Sequence, residues 1–374
     1  MNDVLIIFVD GLPHTLLSHM PNLGMAREQW SIIPGFGYSV NIHAELFAGL
    51  LPDDVGYFGE WMYNPESSPG RRIRKLLPML DTLFRPYILN RGLQYLLARR
   101  YHPGHAIPNI RLRDLDKFAL EGLHILDDPR NYPHSSLFSD FPELHTIPMP
   151  DLPKGKRDQA LYSAGLNALE EASSLFIPLP DLDGFGHTYG IDKKPYRDHL
   201  LHLDKLIATL VQRFTELHPR SHVFVISDHG MVNVSQSVYL DIEQSVAPAS
   251  EKTYVYFSDA NLLRVWVFDS QLRTSIQTYL ETLKCGQLVT DKEREIYGLT
   301  SARFGDLIFV LYEGLAFEPS TFARHRPAGM HGYHPLAPGQ QAICVHYGER
   351  WRGAAPHRMH DVCNMLRGAL GSQW

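Results

Sequence analysis

Four short segments set an acid or an imidazole beside glycine. Asp10-Gly11 follows the apolar run Val4–Val9, and Asp181-Leu182-Asp183-Gly184-Phe185-Gly186-His187 follows Ser174–Pro178. Asp228-His229-Gly230-Met231 follows His222–Ile226, and a later loop reads Gly329-Met330-His331-Gly332-Tyr333-His334. Taken singly, each has an ordinary explanation: Asp-Gly after a strand is usually a turn, and a lone histidine is usually a hydrogen-bonded surface or core residue. Their recurrence at the ends of apolar runs is what points to chemistry. Ligands of open α/β sheets collect at the carboxyl ends of the strands, and glycine lets a backbone bend tightly around an ion. Mixed carboxylate and imidazole donors suit zinc first and manganese second, ahead of calcium or magnesium.

The elements that must hold these segments form an α/β set. Short runs rich in Val, Ile and Phe predict strands over Val4–Val9, Ser174–Pro178, His222–Ile226, Asp306–Leu311 and Ala342–His346. They alternate with amphipathic stretches, the pattern of a parallel sheet covered by helices. Leu200, Leu203, Leu206, Ile207, Leu210, Val211 and Phe214 fall at helical spacing and predict a helix over Tyr196–Leu217, with Pro195 near its start and Pro219 beyond its end. Further helices are expected over Arg157–Ala172, Gln271–Lys284 and His357–Leu370. The expectation is one catalytic domain over 1–374. A helical and irregular segment over 57–153 and a small α+β subdomain over 233–300 are inserted between strands of its core.

Composition narrows the classes. With 374 residues, 44% hydrophobic and 20% charged, the chain is globular and long enough to bury a large core without disulfides. A formal charge of −6 argues against a coat for polymeric nucleic acid. The three cysteines, Cys285, Cys344 and Cys363, form no CxxC pair and read as reduced thiols. The first residues carry no basic region, and no run reaches the ~18 apolar residues of a membrane span, so a cytoplasmic location is expected. The concentrated basic stretch, Arg71-Arg72-Ile73-Arg74-Lys75 with Arg99-Arg100, reads either as a solvated helix face, as a contact for substrate phosphates, or as a weak contact with an anionic membrane surface.

In this order, Asp10-Gly11, Asp183-x-x-x-His187, Asp228-His229-Gly230-Met231 and His331-Gly332-Tyr333 resemble the metal-binding set of the alkaline phosphatase superfamily. Within it the resemblance is to the type I phosphodiesterase/nucleotide pyrophosphatase family, running from residue 4 to about residue 346. It implies an alkaline-phosphatase-like core: a mostly parallel central sheet flanked by helices, with inserted cap segments. The family places a nucleophilic Ser or Thr about ten residues before a Gly-Leu-x-Pro turn. Gly49-Leu50-Leu51-Pro52 matches that turn, and Ser39 lies ten residues before it. Ser39 is the one aliphatic hydroxyl in 37–43 and precedes a helix read over 40–50, whose N-terminus would receive a phosphate. The family's phosphate-binding Asn stands three residues after the nucleophile; here Ile42 occupies that place and Asn41 the one before, with His43 a second candidate donor.

Carried over by position, the resemblance gives one metal to Asp183, His187 and His331, and the other to Asp10, Asp228, His229 and the Ser39 oxygen. Two Zn²⁺ are expected, or Mn²⁺ in their place. Two dications balance three carboxylates and a Ser39 alkoxide, so an anionic phosphoryl group can enter. Two such ions clamp the attacking and leaving oxygens of an in-line displacement, which implies a phosphoseryl intermediate and its hydrolysis. No sulfatase Cys/Ser-x-Pro-x-Arg segment, alkaline phosphatase Asp-Ser-Ala segment or mutase Asn-Ser-Glu segment accompanies the set. The reading is a phosphodiesterase or pyrophosphatase acting on a small nucleotide-like or phospho-alcohol substrate. The alternatives are a phosphomonoesterase or phosphoryl/phospho-alcohol transferase on the same site, and a metal-stabilised binding protein without turnover. Arg324 and Arg326 could supply a monoesterase's extra cation or be surface residues. Tyr57, Phe58, Trp61 and Tyr63 could stack a base or pack an insert. Oligomeric state is not legible.

Overall fold

Six consecutive apolar residues, Val4–Val9, make the central strand of the main sheet, and every one is buried. A computed structural model describes residues 3–83, 91–92, 95–96 and 109–371 of the chain; Arg99 and Arg100 lie outside them. The chain divides into two units. One comprises Met1–Leu51, His124–Ser235 and Pro327–Trp374, the other Pro52–Leu123 and Gln236–Arg326.

The first unit holds the main sheet. Its strands are β1 (Val4–Val9), β2 (Glu28–Ile32), β3 (His145–Thr146), β4 (Ser174–Leu179), β5 (His222–Ile226) and β6 (Ala342–Gly348), in the order β2-β6-β5-β1-β4-β3. β1 pairs parallel with β4 and β5, and β4 parallel with β3. β6 runs antiparallel to both β5 and β2. The sheet is thus mostly parallel with an antiparallel edge. Its longer helices are α1 (Ser39–Ala48), α2 (Arg157–Ala168), α3 (Asp181–Tyr189), α4 (Lys194–Leu217) and α5 (Met359–Gly371).

Side chains alternate across β1 with a period of two. Leu5, Ile7 and Val9 pack with Leu200, Leu203, Ile207 and Phe214 of α4 on one face. Val4, Ile6 and Phe8 pack with Ile42, Leu46 and Phe47 of α1 and Leu366 of α5 on the other. With both faces covered, the strand has no position for a polar residue until it leaves the sheet at Asp10. Each fully buried side chain of this kind contributes about 1.5–3 kcal/mol, so the sheet's end is a firm platform.

The second unit carries a four-stranded antiparallel sheet in the order Tyr254–Ser258, Leu262–Val267, Leu307–Leu311, Gly286–Leu288. The predicted strand at Asp306–Leu311 therefore belongs to this sheet and not to the parallel one. A strand buried on both faces carries no local signal of its partners' direction. Tyr57, Phe58 and Trp61 are buried here, and Tyr63 stacks on Trp266 with centroids 5.3 Å apart, so hydrophobic packing accounts for these aromatics. Arg71 pairs with Glu66 and Arg74 with Asp116; Arg72 and Lys75 are exposed. Arg324 and Arg326 also fall in this unit. Among the described residues no helix is long and apolar enough to cross a membrane.

Candidate metal centre

The register of the sheet brings the acids together. Val9 lies opposite Leu179, and Phe8 opposite Ile226, so β1, β4 and β5 end level. The chain leaving β1 presents Asp10, that leaving β5 presents Asp228, and that leaving β4 turns at once into α3. Asp183 and His187 stand four residues apart on this helix, so they share a face. His331 follows the two-residue strand Gly329–Met330, which pairs with Val232–Asn233 just beyond β5. Gly11 is where these segments converge. Its φ is +69°, and a Cβ there would lie 3.2 Å from Asp183 Cα and 3.4 Å from His229 Cε1. A side chain would hold them apart.

Two groups of convergent donor atoms result. In each of Asp183–His187–His331 and Asp10–Asp228–His229, one donor atom per residue lies within 4.8 Å of the others. The rings of His229 and His331 stack across the groups, centroids 3.5 Å apart and 2° from parallel. Ser39, the first residue of α1, sets its Oγ 3.1 Å from His229 Nε2. Tyr38, not Ser39, occupies the cap position of that helix. The eight residues given catalytic or metal-binding roles from the sequence all fall in the first unit, and seven of them converge at the ends of the strands.

Asn41 is the eighth, and it is buried in the first turn of α1 with its amide engaged elsewhere. Its Oδ1 accepts the Tyr38 N–H at 3.3 Å, and its Nδ2 donates to the Phe36 carbonyl. It braces the turn that presents Ser39. His43 sits one helical turn beyond Ser39, with Nε2 2.9 Å from Asp228 Oδ2. Burial pushes its imidazole below the ordinary range even against that carboxylate, so it is neutral near pH 7 and Nε2 donates. The sequence suggested a phosphate donor here; the structure gives His43 to the carboxylate. Asp228 also accepts N–H bonds from Gly11 at 3.1 Å and His229 at 3.0 Å.

The protonation pattern shows whether a cation fits. His187 Nδ1 lies 2.9 Å from the Gly329 carbonyl and His229 Nδ1 2.8 Å from the Gly230 carbonyl. A carbonyl only accepts, so both Nδ1 atoms carry hydrogen, and in the neutral ring Nε2 presents a lone pair. That of His187 faces Asp183 Oδ1 at 3.2 Å, and that of His229 faces Asp228 Oδ2 at 3.2 Å and Asp10 Oδ1 at 3.5 Å. Acceptor facing acceptor at such distances requires something positive between them. Oδ1 of Asp10 and Oδ1 of Asp183 are buried without a hydrogen bond.

The field tells the same story. Burial, then Asp228 and Asp183, push the Asp10 carboxyl well above its usual range. Burial would raise Asp183 too, but His187, His331 and His229 hold it below the ordinary range. Against burial, Asp183 raises His187, while burial and His229 push His331 far down. Asp228 is held at about 2 because His229 and His43 outweigh its burial. Three carboxylates crowd one buried corner, where His187 is drawn up while His331 is pushed down. The carbonyl partners that fix the His187 and His229 rings are the outer support expected around a metal-binding histidine. The donor set fits a pair of divalent cations.

The sequence pattern of the type I phosphodiesterase/nucleotide pyrophosphatase family matches residues 145–334. The chain belongs to this family, within the alkaline phosphatase superfamily, and is a phosphoric ester hydrolase of the phosphodiesterase/nucleotide pyrophosphatase kind. No curated protein matches the sequence. Among solved structures, it is similar to murine ectonucleotide pyrophosphatase/phosphodiesterase 5, an inactive form in complex with AMP. That match has a TM-score of 0.66 at 14% identity, covering 99% of this chain and 95% of that one. The human counterpart aligns with a TM-score of 0.63 at 16% identity over 99% and 95% of the respective chains. At such identities the likeness is one of fold.

Proposed function

We propose that the chain hydrolyses a phosphodiester or pyrophosphate bond of a small nucleotide-like substrate through a phosphoseryl intermediate on Ser39. The observation that carries this is the Ser39 Oγ, partly exposed at the start of α1 and 3.1 Å from His229 Nε2 of the Asp10–Asp228–His229 group. Asp183, His187 and His331 would hold one zinc ion; Asp10, Asp228, His229 and the Ser39 oxygen would hold the other. Bound there, the ions supply Lewis acidity that favours ionised Ser39 and offsets charge on the leaving oxygen. AMP in the murine relative's complex supports a nucleotide-like substrate.

The chain's own part is positioning. Helix α1 presents Ser39 at its N-terminus, where unspent N–H groups and the helix dipole favour a phosphate. Asn41 fixes the preceding turn, and His43 fixes Asp228. In the first displacement Ser39 Oγ bonds phosphorus while the leaving oxygen departs with its electron pair, and the hydroxyl proton passes to water. In the second, a water oxygen bonds phosphorus and Ser39 Oγ leaves, regaining a proton. The products are a phosphomonoester and an alcohol, or two phosphates from a pyrophosphate. Ser39→Ala should cut turnover of bis(4-nitrophenyl) phosphate by roughly four to six powers of ten while zinc content and melting temperature hold. An active Ser39→Ala protein rules out the covalent route.

A further inference from the structure

Lys154 belongs to none of the motifs, yet its side chain lies along α3, the helix that carries Asp183 and His187. A Cβ at Gly184 would stand 3.0 Å from Lys154 Cδ and 3.6 Å from its Nζ, so the absence of a side chain at 184 is what admits the lysine. Its backbone is held firmly. Lys156 N–H closes a turn on the Pro153 carbonyl at 3.2 Å. Immediately after that turn, Arg157 and Asp158 donate their N–H groups to Asp181 Oδ2 at 2.8 and 3.1 Å, and Asp181 N–H donates back to Asp158 Oδ1 at 3.0 Å. The clasp ties the start of α2 to the start of α3. The lysine is thereby carried on the same framework as two of the metal-site residues.

The ammonium is exposed and, among the described residues, makes no hydrogen bond or ion pair. Gly184 directly follows Asp183 on α3, so the lysine side chain stands beside a residue of the candidate metal site. A lysine that only solvated the surface would have no need of the space at Gly184 or of the clasp. Building on the functional reading above, we infer that Lys154 is a substrate-binding cation whose ammonium pairs with a non-bridging oxygen of the phosphoryl group held at the strand ends. The charge count sets the substrate class. Two dications, three carboxylates and ionised Ser39 sum to zero, so one ammonium balances a monoanionic diester phosphorus and leaves a dianionic monoester with one uncompensated charge.

The test compares wild type, Lys154→Met and Lys154→Arg, all zinc-loaded. One readout is the binding of inorganic phosphate by calorimetry, and the other is kcat and KM for bis(4-nitrophenyl) phosphate. Lys154→Met should weaken phosphate binding at least tenfold and raise KM at least tenfold, with kcat falling less. Zinc content and melting temperature should be unchanged, and Lys154→Arg should restore most of the loss. Phosphate affinity within twofold of wild type in the Met variant overturns the assignment, as does wild-type protein that binds no phosphate. Wild-type protein that binds phosphate through Lys154 but hydrolyses no diester upholds the cation and instead rejects the functional reading.

Discussion

His43→Leu isolates one contact of the candidate site. The side chain is buried between Phe8 and Phe47, with ring centroids 5.2 and 5.7 Å away, and leucine can keep most of that apolar contact. What it cannot keep is the Nε2–H donated to Asp228 at 2.9 Å. A hydrogen bond to a charged, buried acceptor is worth roughly 1.5–3 kcal/mol. A second route bounds the figure. Holding a carboxyl at about 2 rather than 3.8 corresponds to roughly 2 kcal/mol above pH 4, and His43 shares that effect with His229 and the Gly11 N–H. The metal-free variant should therefore lose about 1–2 kcal/mol at pH 7.

The pH dependence has a definite sign. The folded pKa of Asp228 is depressed, so its contribution is present above pH 4 and fades as pH falls toward 2. The folded pKa of His43 is also lowered, because burial outweighs Asp228. Below about 6.5 the unfolded chain therefore binds a proton that the folded one resists, and wild type loses stability that the leucine variant does not. Both effects make the gap widest near neutrality and narrow it in acid. With Asp228 less firmly held, zinc at the Asp10–Asp228–His229 group should bind about 10–100-fold more weakly, while the other group should be unaffected. Urea unfolding in chelator at pH 7 and 5, with a zinc titration at pH 7, reads all three effects. Equal stability and equal zinc affinity would refute the reasoning that His43 positions Asp228.

Two further outcomes follow from the geometry. His331→Ala removes one of the three donors at Asp183 and His187 and should drop bound zinc from about two ions to about one by elemental analysis, with circular dichroism unchanged, because the core of the first unit does not depend on the site. In the second unit, Glu243 is held at about 2: Arg111 and then Arg113 outweigh its burial. Its stabilisation is thus present above about 4.5 and lost as pH falls toward 2, and since the pair is partly solvated, Glu243→Gln should cost about 1 kcal/mol at pH 7 and nothing near pH 2, read by thermal melts at the two pH values.

The strands β1, β4 and β5 are legible in the sequence because burial on both faces leaves an unbroken apolar run, and α4 because its buried residues recur at helical spacing across 24 residues. Other elements carry no such signal. β2 reads Glu-Gln-Trp-Ser-Ile, an edge strand in which four of five residues are at least partly exposed, so composition does not announce it. α3 hides because Gly184 and Gly186 lower helix propensity, and only the four-residue spacing of Asp183 and His187 hints at a shared face. Asn41 and His43 show a different limit. A sequence can place a polar residue near a nucleophile, but whether its donors point at substrate, backbone or a neighbouring acid is fixed by the local turn.

Asp10 and Ser39 make the strongest case for the site, because the family pattern does not reach them. Its match begins at residue 145 and takes in Asp183, His187, Asp228, His229 and His331. Those five alone would supply one complete group and two donors of another. The remaining donor and the nucleophile come from residues far earlier in the chain, brought in by topology. β1 lies between β4 and β5 and ends level with both, so the residue after Val9 has to emerge between the two matched groups. Phe8, one residue earlier, packs against Phe47 of α1, which sets that helix over the same end of the sheet. Ser39 at its first turn then faces His229. An unbroken apolar strand and one helix packed on its face thus place both the tenth residue and the thirty-ninth where the matched acids and imidazoles need them.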